Sequence, residues 1–470
     1  MKNKALIFNI RELISRDELP AALEQLRNLL DNSPKLDEAI LQSGRFQYIR
    51  RQIRLGVVSH AEATLTQNQI RFGLLDLLNE IEEDGKTLLP VELAENLITD
   101  KNQWVKSLSQ ELLSQGVSVG NRPSDVFQHF GWMIEVFLQK MGTSAGQERS
   151  LRGLSFMTEA FQNSLRYLCY IQVAQIFQLE NKPQNGTLAE FLQLREKQYL
   201  DFDYLNLLLL STDFLKKEGS FVPEIHDFVA ELLDTQSDLY RTVLFLDGHR
   251  RRLLENTIPE DEHLPTLLDE YLTGLIFWLR QISFLAKYRL VSVKDINLSY
   301  RLGTSKKFVH LYGELHGIYS TADSSVEEYN TKSIEGVFTY NQSVLLFKGS
   351  NVATCLDNIH DPTTYLSLSP LLIDQSVFAE KPTQTPEIFY FIGSGTSTRQ
   401  YDFAQYKNEL AFGDRDHIPS NKFVQVKTQN NQQPKLDELF KQLELVFKPF
   451  KTTRVGVTQT HPDTKTTQNK

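Results

Sequence analysis

Arginine and histidine crowd one short stretch, HRRRLLENT, from His249 to Thr257. It follows an apolar helical pattern and precedes a loop containing Pro259. An arginine here could steady a phosphate. An imidazole titrating near neutrality could move protons on a ribose hydroxyl or a leaving oxygen. The plainer alternative is a basic helix end, whose cations offset the partial negative charge of the C-terminal carbonyls.

Other candidates carry less. HLYGELHG sets His310, Glu314 and His316 at even spacing, which in a strand places all three on one face. With no further ligand nearby, polar residues on the surface of a sheet explain them better than a metal. FIGSGTSTRQ offers Gly393 and Gly395 followed by serine and threonine, but lacks the GK[ST] ending of a phosphate loop; a hairpin turn is expected. Asp357, His360 and Asp361 precede Pro362 and fit turn chemistry. The aromatics Phe389, Tyr390, Phe391, Tyr401, Phe403 and Tyr406 suit a hairpin core before a binding surface. No GxSxG, HExxH or catalytic-cysteine context is present, and no cofactor is expected.

These residues must be positioned by a chain of 470 residues, 41% hydrophobic and 23% charged, enough for roughly two to four domains. The net charge of −9 disfavours broad nucleic-acid binding, though a local basic patch could still do it. Cys169 and Cys355 form no CxxC, so neither a disulfide framework nor a zinc site is implied and a reducing cytosol suits the chain. No secretory signal or membrane span is expected: the most apolar runs fall short of about 18–20 residues.

The pattern divides into an α+β chain. Residues 1–84 read as a helical bundle. Leu19, Leu23, Leu26 and Leu30 form one stripe, Gly56 ends a helix, and Ser59 with Glu62 forms a capping box before a helix over 60–83. Residues 85–124 read as a linker with one helix. Residues 125–289 are an all-helical middle region, several of its segments apolar nearly all round. Residues 290–450 are β-rich, in short runs of Val, Ile, Tyr and Phe separated by turn residues, with one face of TTYLSLSPLL expected to be wet. Residues 451–470, rich in Thr, Gln and Lys, are expected to be disordered.

Three pieces of the first region, AILQSGRFQYI, RLGVVSHAEA and QNQIRFGLLDLL, together resemble a bacterial effector-associated domain, the type numbered eleven, a death-like helical adaptor. The resemblance spans about 80 residues. It implies a module that is not an enzyme and pairs with a like module on another protein, such as a protease or nuclease effector. Charge is suitably separated: Arg45, Arg50, Arg51 and Arg54 lie on one helix, with Glu18, Glu80, Glu82, Glu83 and Asp84 elsewhere. Opposite charge on separate surfaces sets partner and register.

The middle region more distantly resembles a HEPN domain. Active members place an arginine, a polar residue and then a histidine along a helix end. Laid on that pattern, Arg250 and Arg251 take the first two places, but Glu255 stands where the histidine belongs. His249 is on the wrong side, and His263 lies beyond Pro259. An inactivated scaffold is therefore expected. The leading expectation is a cytoplasmic, non-enzymatic adaptor or sensor of a bacterial antiviral or conflict system. A HEPN-type RNA endonuclease and an interaction scaffold with no immune role remain as alternatives.

Overall fold

The computed structural model describes residues 10–450, apart from 15, 17, 31–35, 56, 59–62, 64–65, 68, 72, 76, 79–88, 121, 184–185, 196–197, 300, 304, 316–331, 336–339, 350–351, 353–361, 379–385, 395–399, 407–420 and 428–433. The expected capping box at Ser59 and Glu62 and the expected tail at 451–470 lie outside the described residues. The architecture is α+β, with helices first and two antiparallel sheets after them.

The amino-terminal helices have a core of their own. Helix α1 (Leu19–Leu29) starts at Pro20, whose missing N–H costs nothing in a first turn, and is followed by α2 (Leu36–Arg54). The described residues between 63 and 78 are also helical. Leu19, Leu23, Leu26 and Leu30, the stripe read from the sequence, meet Phe46 and Ile49 of α2 and Ile70, Leu74 and Leu78.

A second, continuous core takes in residues from Leu89 to Phe450. Trp104, Leu108 and Leu112 of helix α3 (Lys101–Ser114) are buried in it, so this part of the expected linker is packed structure. The centre is α5 (Leu151–Gln178), buried on every side and surrounded by α4 (Trp132–Met141), α6 (Tyr204–Glu218), α8 (Asp238–Leu254) and α9 (Leu264–Gln281). Helix α7 (Glu224–Leu233) joins α6 to α8. Side-chain caps set the starts: Asp100 on α3, Ser150 on α5, Asp203 on α6 and Ser237 on α8 each accept a backbone N–H of the first turn. The indole of Trp278, on α9, donates to Ser164 Oγ at 2.6 Å, so its burial leaves no N–H unmet.

Helix α9 runs through a short 3-10 turn straight into β1 (Tyr288–Ser299). The first sheet has the order β3-β2-β1-β4-β5, with β2 at Lys307–Glu314, β3 at Lys332–Glu335, β4 at Val344–Lys348 and β5 at Tyr365–Ser367. The second has the order β6-β7-β8-β9, with β6 at Leu372–Asp374, β7 at Ile388–Ser394, β8 at Gln400–Tyr406 and β9 at Asn421–Lys427. Alternation along the first sheet sends Leu290, Val344 and Leu346 into the main core. Val291, Val293, Leu345 and Phe347 go to a smaller cluster on the opposite face.

TTYLSLSPLL departs from its expected half-wet strand. It is two short strands in different sheets, and Leu366, Ser367, Leu368, Leu371 and Leu372 are all buried where the chain crosses between them. Both faces are covered, so alternation does not report a solvent side. Strand β7 is likewise buried on both faces: the successive residues Ile388, Phe389, Tyr390, Phe391 and Ile392 all lie in the main core, where Phe391 meets Phe191 at 5.7 Å and Phe447 of α10 (Pro434–Phe447) at 5.2 Å.

Candidate docking surface and the helix end at Arg250

Arg45, Arg50, Arg51 and Arg54 all lie on α2 and are exposed in the full chain. They follow a buried face of Ala39, Gln42, Phe46 and Ile49 and occupy the remaining sides. The guanidinium of Arg50 sits 5.7 Å from the ring centroid of Phe46. Between residues 39 and 57 the sequence holds these four arginines and no acid, so this part of the helix is locally basic on a chain of net charge −9. Glu18, just before α1, is exposed as well. Glu80, Glu82 and Glu83 lie outside the described residues, so the expected opposition of charge rests structurally on Glu18 and the arginines.

The stretch HRRRLLENT is the last turn of α8 and its cap. Asn256 takes a left-handed conformation at φ 58°, which asparagine tolerates better than most residues. Its N–H bonds Leu253 O at 3.1 Å, and the N–H of Thr257 bonds Arg252 O at 2.8 Å. Carbonyls that would be orphaned at the helix end are thereby satisfied. Glu255 is the C-cap residue and is exposed, whereas Arg250 is buried.

Arg250 points inward. Its Nε and Nη2 donate to Asp247 Oδ1 at 3.0 and 2.9 Å, and Nη1 donates to Leu200 O at 2.8 Å. The side chain is thus a clip between the end of α8 and the short helix Gln198–Asp201. Arg251 is exposed and donates to Asp247 Oδ2 at 2.8 Å, completing a fork of two arginines on one carboxylate. His249 is buried, its ring 4.7 Å from that of Phe245, and faces core rather than solvent.

Beside Arg250 is a cavity of about 10 Å³, lined by Ser155, Thr158, Glu159 and Gln162 of α5 with Leu200, Leu253 and Leu254. That is space for about one water. Burial pushes the Glu159 carboxyl above the usual range, while the nearby Arg166 and Arg250 charges and a hydrogen bond from Asn163 pull it back. Arg166, deeper along α5, is fully enclosed. It donates to Asn163 Oδ1 at 2.6 Å and lies 5.0 Å from the ring of Tyr204 and 4.9 Å from that of Tyr390. Desolvation raises the pKa of Cys169 well above its usual value, and its Sγ contacts Tyr204 O, so this thiol is packed rather than reactive.

The remaining sequence candidates resolve into structure. His310 is fully buried on the β2 face that carries Tyr312, correcting the expectation of a surface residue: both faces of this sheet hold apolar clusters. His316, Asp357, His360 and Asp361 lie outside the described residues. Among the described residues no group of three or more His, Cys, Asp or Glu could hold a metal ion. Strands β7 and β8 form the expected antiparallel hairpin, with Phe389, Tyr390, Phe391, Tyr401 and Phe403 in the core. Gly393 is required by a close approach: at φ 142° a Cβ there would sit 2.1 Å from Leu194 O. Among the described residues no helix is long and apolar enough to cross a membrane.

Sequence reasoning missed one cluster. Lys294 Nζ pairs with Asp374 Oδ2, which also accepts from Ser292 Oγ at 2.6 Å. Asp374 Oδ1 accepts from the backbone of Ser376 at 3.0 Å and of Glu387 at 2.9 Å. This ties β1 of the first sheet to β6 of the second. The available signal was charge interrupting each apolar run: Lys294 and Asp295 in VSVKDI, and Asp374 alone in LLIDQSVF.

No curated protein matches the chain, and no solved structure matches it. Residues 5–82, the segment that carries the exposed arginines of α2, match the family model described as Effector-associated domain 11.

Proposed function

We propose that this protein is a non-enzymatic adaptor or sensor in a bacterial antiviral or conflict system. Its amino-terminal module recruits an effector, such as a protease, by pairing with a like module on that effector. The helical and β-rich body receives the signal or is itself acted on by the recruited protein. The observation that carries the reading is the exposed basic helix α2 inside a segment matched to an effector-associated domain. Rim charges of this kind steer encounter and select partners more than they add affinity.

The state of HRRRLLENT supports the non-enzymatic half of the proposal. Arg250 is engaged with Asp247 and Leu200, Glu255 is exposed at the helix cap, and the adjoining cavity has room for about one water. A phosphate-binding arginine needs donors aimed at the ligand, and a proton-transfer group must reach the same place.

The test uses the full-length chain in two assays. Purified protein is expected to leave RNA intact. Cleavage that disappears in Arg250→Ala would overturn the non-enzymatic assignment. In the second assay, proteins of the same host carrying a matching module are titrated against the chain. The wild type is expected to bind at least one of them, and joint replacement of Arg45, Arg50, Arg51 and Arg54 by glutamate is expected to abolish that binding. Absence of binding to every such module would overturn the recruiting role.

A further inference from the structure

The arginines of α2 border something else. Of the fifteen exposed large hydrophobic side chains among the described residues, six fall within 18 positions: Ile40, Leu41, Tyr48, Ile53, Leu55 and Val57. Singly scattered apolar residues need no explanation, but a concentration on one small module does. Tyr48 is 65% exposed and Leu55 62%, more than a side chain packed at the edge of a core would be.

The helical period orders them. Leu41, Gly44, Tyr48 and Leu55 follow one another at steps of three, four and seven, and the side they share is opposite to Ala39, Gln42, Phe46 and Ile49, which face the module's core. The helix is therefore apolar on two sides. One side is explained by the bundle core; nothing among the described residues of the bundle accounts for the other.

Gly44 is the second, independent observation. It lies inside α2, where glycine is among the poorest residues for helix stability. A Cβ built on it meets nothing within 4 Å among the described residues, so no described neighbour accounts for a glycine there. A notch between Leu41 and Tyr48 on an exposed face lets a second backbone approach closely, which is the use glycine has where helices meet tightly.

We propose that this stripe is the docking face of the module. Its occupant is a helix of the partner's like module, with an apolar line to meet Leu41, Tyr48 and Leu55, and aspartates or glutamates along its border. The charge argument selects that border: α2 presents Arg45 and Arg51 beside the stripe and no acid between residues 39 and 57. Tyr48 is the anchor, since an exposed aromatic with one polar end contributes much area at little entropic cost. The arginines set orientation. The proposal rests on the pairing role given above and adds the face, the notch and the chemistry of the occupant.

The probe is a purified protein of the same host that carries a matching module and binds the full-length chain. Three variants of the full chain are titrated against it: Tyr48→Glu, Arg51→Glu and Gly44→Leu. Each is expected to weaken binding by about tenfold or more. Gly44→Leu is the discriminating one, because it improves helix propensity; the melting temperature should hold or rise while affinity falls. In parallel, a photo-crosslinking residue at position 48 should join the probe through its acidic-bordered helix, and one at Leu113 on α3 should not.

Unchanged affinity in Gly44→Leu and Tyr48→Glu would overturn the face. If binding persisted in those variants and was lost on reversing the charge of Glu18 and of Glu24, which is exposed on α1, the pairing role would stand on a different surface. A crosslink from position 48 to a second copy of this chain would overturn the choice of occupant. If no matching module bound the wild type, the pairing role itself would fall and this proposal with it.

Discussion

The chain uses arginine in two opposite ways. On α2 four arginines stand exposed around an uncovered stripe; in the main body Arg166 and Arg250 are enclosed and spend their donors on Asn163, Asp247 and the Leu200 carbonyl. Local sequence does not separate them, since RRQIR and HRRRLL look alike. The difference lies in what has already been satisfied. A guanidinium whose hydrogen bonds close inside the fold is committed to structure; one held in water at little cost remains available to a partner. The same contrast holds for apolar groups, which are packed on both sides of β7 and exposed along α2.

Buried charge should therefore show its importance as stability. The strongest test is Asp374, which holds Lys294, Ser292, Ser376 and the Glu387 N–H together between the sheets. Asp374→Ala leaves a buried ammonium without its counter-charge and is expected to cost about 3–5 kcal/mol in urea unfolding. The double replacement Lys294→Met with Asp374→Leu should recover most of that loss. A cost below about 1 kcal/mol for the single change would mean the cluster is wet, and the contrast would weaken. Arg250→Ala comes next, at about 2–3 kcal/mol, because the Leu200 carbonyl loses a charged donor and Asp247 loses one of its two partners.

Lys140 tests the same idea through pH. Burial lowers its pKa from the ordinary 10.5 to about 8, against the pull of Glu159. Between those values the unfolded chain holds the extra proton and the folded chain does not, so stability should rise as pH increases from about 8 to 10.5. Lys140→Met should flatten that rise. At pH 7 it should add roughly 1–2 kcal/mol, the relief of desolvation less the contacts of the ammonium with the Phe137 and Phe156 rings. Glu159 acts in the opposite sense: its raised pKa gives a contribution that is full below its ordinary value and lost as pH rises through the folded one. A stability curve unchanged by the lysine replacement would count against enclosure of this charge.

A smaller effect belongs to the cap. Asn256→Ala should cost about 1 kcal/mol, because alanine is strained at φ 58°, whereas Asn256→Gly should be neutral or slightly stabilising. Equal melting temperatures for alanine and glycine would remove the left-handed cap from the account of HRRRLLENT.

These elements differ in how far the sequence exposes them. The stripe of Leu19, Leu23, Leu26 and Leu30, the hairpin at 388–406 and the switch from helices to strands near Leu290 were legible, because each is a local periodicity with its own turn signals. The change at 290 marked secondary structure only: the core continues from α9 into β1 through Leu285 and Leu290. The exposure of the α2 arginines was likewise within reach of a helical pattern. The Arg250 clip to Leu200 and the pairing of Lys294 with Asp374 were not, because these partners lie 50 and 80 positions apart in the chain and burial is set by packing of whole layers. Gly44 and Gly393 make the point with one residue type. Gly393 is explained by a distant carbonyl, whereas no described neighbour accounts for Gly44.

The smallest expected effect is the most diagnostic. Arg45→Ala, Arg51→Ala and Arg54→Ala each remove an exposed cation from a helix already held by Phe46 and Ile49. Alanine has slightly better helix propensity, and surface changes away from buried features shift stability by no more than about 0.5 kcal/mol. Unfolding of the three variants should therefore superimpose on the wild type within that margin, even where partner binding is impaired. A loss of 2 kcal/mol or more (the loss expected of Arg250) would place these arginines in the fold, and the separation between a surface held for a partner and a charge committed to structure would no longer describe this chain.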